Sequence, residues 1–220
     1  MVEIANADGA KRCRGRPQVR SDEETLAIIL EAAGQEFQDK GYEATSVAAV
    51  AERAGVSTKT VYRLVPTKAD LFSSVITGRI NRFVAALDLG AVDTLDAQAA
   101  IAQMLTLYGI LTLEPRTVAM TRLVLGECRA FREVGDAFYQ GAIVRSSEAM
   151  AAVLRRLVDR GLIEIDDLAE AVGLLRGMMI FDPQRAAMLG KREAPTAEEI
   201  AQRAERCARV FLEGCAARQT

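Results

Sequence analysis

Apolar residues recur at helical spacing along most of this chain. Leu26, Ile29, Leu30, Ala33 and Phe37 follow a period near 3.6 and stop at Lys40 and Gly41. Ser21 and Glu24 stand at capping-box spacing ahead of them, so a helix is expected over residues 22–40. Val50, Ala54, Val56, Val61 and Leu64 form the apolar underside of two shorter helices. Ala51 is small enough for those helices to cross steeply and closely, and Gly55 can take the left-handed conformation that turns the chain between them. Thr45 or Ser46 can cap the first, Ser57 the second, and Thr67, with Asp70 three residues on, the next. Three helices therefore precede residue 66, and the middle of that stretch has the spacing of a helix-turn-helix.

The pattern stays helical beyond Pro66. A connecting helix is expected from Thr67 to about Leu87. Another runs from Asp96 to Thr112 with Ile101, Met104, Leu105, Tyr108 and Leu111 on one face, and Pro115 can open a third. A long helix from about Glu133 to Arg160 stops at Gly161, and Asp166 or Asp167 begins the next. Pro183 kinks or splits that one, Gly190 ends it, and Thr196 with Glu199 boxes the start of the last. With no strand-like alternation and no internal repeat, the fold class is all-α.

The polar face of the second short helix carries Thr58, Lys59, Tyr62 and Arg63, side chains that can touch phosphates and base edges in a major groove. The helix of residues 22–40, the segment GYEATSVAAVAERAGVS and the segment VYRLVPTKADLF together resemble the N-terminal domain of TetR-family transcriptional regulators. Arg63, Leu64 and Val65 stand where that family more often has aromatic residues. The layout of residues 67–220 is similar to the family's helical C-terminal domains, and RLVLGECRAFREVGDAFYQ with VFLEG resembles its AefR-like branch. The resemblance implies a ligand-responsive, homodimeric DNA-binding regulator, a repressor rather than an activator. The expected organisation is a basic arm over 1–20, a helix-turn-helix domain over 21–66 and a helical ligand-binding and dimerisation domain over 67–220. DNA contacts are expected from Thr45, Ser57, Thr58, Lys59, Thr60, Tyr62, Arg63 and Lys68, with Thr45, Tyr62 and Lys68 mainly on the backbone.

Composition narrows this reading. Half of the 220 residues are hydrophobic, aromatics make up 5 %, and there is no tryptophan, which suits helices packed through Ala, Leu, Val and Met. A formal net charge of -2 gives no global attraction to nucleic acid, so DNA affinity must come from local patches. Lys11, Arg12, Arg14, Arg16 and Arg20 form one, and Arg53, Lys59, Arg63 and Lys68 another. The opening segment lacks any apolar period and is expected to be disordered. Its Arg14-Gly15-Arg16-Pro17 core resembles an AT-hook, in which guanidinium groups enter a narrow A·T minor groove; the plainer reading is a solvated basic tail.

LAEAVGLLRGMMIF, residues 168–181, is apolar nearly all round, and Gly173 and Gly177 allow close helix approach. The last helix carries Ile200, Ala204, Cys207, Ala208, Phe211 and Cys215 along one stripe. Both are expected at a two-fold interface, the alternative being burial within one chain. Arg176 can pair with an acid such as Glu127, reach across a dimer or hold a ligand's acidic group. Met104, Tyr108, Phe138, Tyr139, Ile143, Met150, Arg176 and Met178 are the candidate ligand-binding residues.

Enzymatic chemistry has little to stand on. There is no histidine to serve as general base and no Gly-rich phosphate loop, and Glu164, Asp166 and Asp167 sit where capping accounts for them. Four scattered cysteines, Cys13, Cys128, Cys207 and Cys215, suggest neither a zinc site nor a disulfide framework. No metal or cofactor is expected, and redox sensing through Cys128 or through Cys207 with Cys215 is a weak alternative. With no paired-cysteine pattern, no signal-peptide pattern and no membrane-spanning run, the reducing cytosol is the expected compartment. The partners expected are a double-stranded DNA operator, a small-molecule effector and a second copy of the chain. The alternative to an effector-controlled regulator is a ligand-independent or architectural DNA-binding protein, which a filled C-terminal interior would favour.

Overall fold

The computed structural model describes residues 20–215, so the arm with Arg14 and Arg16 lies outside the described residues. Among those residues there is no strand, and eleven α-helices follow one another: α1 Asp22–Ala44, α2 Val47–Ala54, α3 Thr58–Leu64, α4 Lys68–Ala86, α5 Leu89–Val92, α6 Ala97–Leu113, α7 Pro115–Glu127, α8 Arg132–Phe138, α9 Arg145–Asp159, α10 Leu168–Met188 and α11 Ala197–Cys215.

The helix starts fall where the polar side chains ask for them. Ser21 and Glu24 cap α1 reciprocally, at 3.1 and 3.0 Å. Ser46 accepts from the Ala49 amide, Ser57 from Thr60 and Thr67 from Asp70. Asp167 starts α10 and Thr196 boxes with Glu199 before α11. Gly55, Gly161 and Gly190 end their helices with φ of 66°, 68° and 65°.

Four features depart from the expected layout. The α1 helix breaks at Gly41 (φ 84°, ψ 172°) but resumes for a last turn to Ala44. A short α5, capped by Asp88, interrupts the connection to α6. The long helix over 133–160 is three pieces, because Tyr139–Val144 winds as a π-helix between α8 and α9. Gly141 lies in that segment, where a Cβ would come within 3.3 Å of the Thr77 hydroxyl, so the wide turn sits hard against α4. Finally, Pro183, expected to kink or split its helix, does not split it: α10 runs on unbroken to Met188. Proline has no amide proton for the Met179 carbonyl. The Arg203 side chain of α11 supplies the missing donor, its Nε lying 2.8 Å from that oxygen.

Two apolar cores run through the molecule. The first gathers Ile29, Phe37, Tyr42, Val50, Ala51, Val61, Leu71, Phe72, Val75 and Ile76, and also Met120 and Val124 from α7 and Val134 from α8. Val75 and Ile76 of α4 thus belong to the core beneath the helix-turn-helix, so the connecting helix packs into that core as well. The second core joins Phe83 to α6, α9, α10 and α11. Gly109 lets those last helices close up, since a Cβ there would meet Met179 Cε at 2.5 Å and Ile200 Cγ2 at 2.8 Å. That packing takes up five of the seven residues expected at the two-fold interface. Ile200, Ala204, Cys207, Ala208 and Phe211 are buried in this core, within one chain. Gly173 and Gly177 are exposed on the other side of α10, beside exposed Leu174 and Phe181.

Candidate DNA interface and effector cavity

On α3 the outward side chains are Thr58, Lys59, Tyr62 and Arg63, and Tyr62 is 52 % exposed although nothing in the fold needs an aromatic there. Ser57 and Thr60 stand at the start of the same helix, their hydroxyls 2.8 Å apart, so both already serve the cap. Thr45 is a correction. Its side chain is buried and its hydroxyl donates to the carbonyls of Gly41 and Glu36, at 2.7 and 3.0 Å, because the cap of α2 falls to Ser46 and leaves Thr45 to tie off the end of α1.

The basic patch is not free either. Arg63 makes two parallel 2.7 Å bonds to the Asp22 carboxylate, which that guanidinium holds below the usual carboxylate range. Arg53 binds Glu36 and Asp39. Lys68 donates to the Glu43 carbonyl at 3.0 Å and lies 4.6 Å over the Tyr42 ring, and burial lowers its pKa. Of these four cations only Lys59 has no partner among the described residues. No local spacing signals Asp22 and Glu43, because their partners are 41 and 25 residues away.

A cavity of about 360 Å³ opens between α4, α6, α7, the α8–π segment and α10. Tyr108, Phe138, Ile143 and Arg176 of the expected ligand residues line it. The other four do not. Met104 and Met150 are fully buried filler of the second core, Tyr139 is exposed on the outer side of the π-helix, and Met178 instead offers its carbonyl to Arg203. Ile76, Arg79, Ile80, Met120 and Phe181 also line the wall. Arg79 could have been found, since it interrupts the apolar face of α4 between Ile76, Ile80 and Phe83.

Arg176 does not meet Glu127. Its Nε donates to the Tyr108 hydroxyl at 2.8 Å and one terminal nitrogen to Ser147 at 2.6 Å. Glu127, at the end of α7, receives the backbone amides of Tyr42 and Glu43 at 3.0 and 3.1 Å, and so clamps the turn leading into α2. Tyr42 in turn donates to Glu133 of α8 at 3.2 Å. The helices that wall the cavity therefore hold the helix-turn-helix at its root.

Comparison with known proteins agrees with this architecture. A family model described as the AefR-like transcriptional repressor C-terminal domain matches residues 103–214, and one described as bacterial regulatory proteins, tetR family, matches residues 29–75. The chain belongs to the TetR family. TetR regulators are DNA-binding proteins without enzymatic activity, and the fold seen here is that of a TetR-family transcriptional repressor. The HTH-type transcriptional repressor ComR of Escherichia coli is 37 % identical over 75 residues, a span of 34 % of either chain, so the match covers only about a third of that relative. A TetR-family transcriptional regulator from Mesorhizobium loti superposes with a TM-score of 0.76 at 22 % identity, covering 89 % of this chain and 98 % of its own. The flavonoid-responsive regulator FrrA superposes with a TM-score of 0.67 at 26 % identity, covering 89 % and 99 %. No helix among the described residues is long and apolar enough to cross a membrane, and none of their acidic or cysteine side chains cluster as a metal site.

Proposed function

We propose that this TetR-family chain is a homodimeric repressor that leaves a palindromic operator when a small apolar or amphipathic molecule fills the cavity. Residues 21–66 read DNA in this account, and residues 67–220 bind the effector and the second subunit. One observation carries it: Ile76 and Met120 belong both to the core beneath the helix-turn-helix and to the cavity wall. A molecule pressing on them presses on the seat of the recognition helix. The FrrA likeness supports effector control, and a cavity of several hundred cubic ångströms counts against a ligand-independent architectural protein.

Thr58, Lys59, Tyr62 and Arg63 are the DNA-reading face, with Ser57 and Thr60 fixing its first turn. Lys68 acts mainly by pinning Tyr42 and the end of α1. The partner subunit is placed on the exposed α10 face of Gly173, Leu174, Gly177 and Phe181. Two-fold symmetry there would set the recognition helices roughly 34–36 Å apart per DNA turn, which makes their spacing the quantity an effector changes.

Filling the cavity from within tests the reading without knowing the effector. Ala142 lines it, and Ala142→Phe puts a ring inside. With an operator selected from random duplexes, this variant should remain a folded dimer and bind about ten- to hundredfold more weakly, since effector couplings are typically about 1–3 kcal/mol. Wild-type affinity in the folded variant would overturn the mechanism.

A further inference from the structure

Resting on that reading, we propose that the effector is an amphipathic anion, an apolar body ending in a carboxylate-like group, and that Arg176 with Tyr108 receives its charge. The cavity wall contains three guanidinium groups, Arg79, Arg176 and Arg185, and no carboxylate. Two of the three are already engaged. Arg79 is ion-paired with Glu114 and donates to Thr117 at 2.8 Å, and Arg185 lies 3.9 Å over the Phe181 ring. A neighbouring hollow between α1, α4 and α7 also holds arginines, but a carboxylate, Glu31, shares its wall and meets Arg116 at 2.8 Å.

Arg176 differs in its surroundings: Arg185 is exposed to solvent, whereas Arg176 is half-buried, 5.5 Å over the Tyr108 ring. Its acceptors are two hydroxyls, and no acid pairs with it among the described residues. Hydroxyl dipoles orient a guanidinium without neutralising it, and a guanidinium cannot shed its proton. Its second terminal nitrogen has no acceptor among the described residues. The Tyr108 oxygen accepts from Nε, which leaves the phenolic hydrogen to donate elsewhere. Burial raises the Tyr108 pKa, so that hydrogen is present at neutral pH. Ser147 completes the frame by accepting from Arg176 while its own hydrogen goes to the Ile143 carbonyl at 2.7 Å. A carboxylate beside the free guanidinium edge would receive a charge-assisted bond from it and another from the phenol. The remaining wall, with Ile80, Leu111, Met120, Leu125 and Ile180, suits a hydrocarbon body.

Calorimetric titration of the full chain with decanoate and with decanol, at pH 7.5 and matched salt, tests this directly. Decanoate should bind about ten- to hundredfold more tightly than the alcohol, the range expected for hydrogen bonds to a charged partner. Arg176→Gln should bring that ratio close to one, and Arg176→Lys should restore part of it. Tyr108→Phe should lower the ratio by a smaller factor. Equal affinities in the wild type, a preference that survives Arg176→Gln, or failure of both compounds to bind would overturn the proposal. So would loss of the dimer in Arg176→Gln alongside equal affinities, which would assign the arginine to the subunit interface. Should Arg176→Gln not fold, the wild-type ratio and the Tyr108→Phe variant decide the matter. Adding decanoate to the operator titration separates the two readings: an acid-selective site without any change in operator affinity would sink effector control and leave the anion site standing.

Discussion

At the DNA-binding end, Arg53, Arg63 and Lys68 each lean on an acid or carbonyl of their own chain, whereas in the cavity Arg176 leans on two hydroxyls and the Tyr108 ring, with no acid among the described residues. The first arrangement suits a surface that must exchange partners. Exposed ion pairs contribute little in water, so a phosphate can take Arg63 from Asp22 at small cost, and until then the side chain is held out of wrong contacts. The second arrangement leaves a charge in a half-enclosed apolar space without its counter-ion. Such a charge is costly unless something answers it, which is the proposed basis for the cavity preferring an anion before any shape complementarity is considered. The two ends meet at Gly41, Tyr42 and Glu127.

The largest effect should come from that junction. Gly41 has φ 84° and ψ 172°, a region open essentially to glycine alone, and a Cβ would lie 2.6 Å from Glu127 Oε1. Gly41→Ala should cost about 3 kcal/mol of stability, combining backbone strain with damage to charge-assisted bonds at Tyr42 and Glu43. Urea unfolding measures it. A loss within experimental error of zero would mean that the clamp between the two ends is not rigid.

A third kind of arginine sharpens the contrast. Arg203 faces neither DNA nor ligand but the carbonyl orphaned by Pro183. Arg203→Ala should cost about 1–3 kcal/mol, the range for an unsatisfied buried acceptor. Adding Pro183→Ala, which returns an amide proton to the helix, should recover a large part of that loss. If the double variant is no better than Arg203→Ala, the arginine contributes packing rather than a missing donor.

Tyr42 gives the junction a pH signature. Burial, then the charge and hydrogen bond of Glu133 and the charge of Glu127, push its pKa up to about 12. Below pH 10 the phenol is protonated in folded and unfolded chains alike, and its contribution to stability is complete. As pH rises from 10 towards 12 the unfolded chain releases the proton first, so stability falls. The melting temperature of the wild type should drop more steeply over that window than that of Tyr42→Phe, which starts lower for want of the Glu133 bond. Parallel curves would show that Tyr42 is not held protonated by the fold.

The parts of this molecule legible in its sequence are those written locally. Ser21, Ser46, Ser57, Thr67, Asp167 and Thr196 mark helix starts because a cap involves residues within three positions, and Gly55, Gly161 and Gly190 mark ends because only backbone freedom is at stake. The sites are written between distant residues. Nothing in a helical period pairs Arg63 with Asp22, Glu127 with Tyr42, or Arg176 with Tyr108 across 68 positions. The stripe from Ile200 to Phe211 shows the same limit: periodicity identifies a buried face but not whether the covering helix belongs to the same chain, and here α6 covers it. Of the four expected residues that do line the cavity, Tyr108, Phe138 and Arg176 stand out by an aromatic or polar group on an apolar face, whereas Ile143 carries no such mark. Met104 and Met150, adaptable apolar side chains on the same helical stripes, are plain core.

The smallest expected effect lies at the DNA surface, and it addresses the comparison most directly. Asp22 and Arg63 are both well exposed and joined by two parallel bonds. In Asp22→Asn the guanidinium loses its internal partner, and DNA no longer competes for it. Operator affinity should rise a few-fold at low salt, and the slope of log affinity against log salt should steepen by about one if Arg63 then takes a phosphate. Sequence preference would stay the same in that case, and a sharpened preference at one base position would put Arg63 on a base edge instead. Removing any acid near DNA raises affinity somewhat, so Glu23→Gln, a neighbouring exposed acid, is the control. If both variants shift affinity and salt slope equally, the Asp22 pair restrains nothing, and the DNA-binding end differs from the cavity only in its exposure to water.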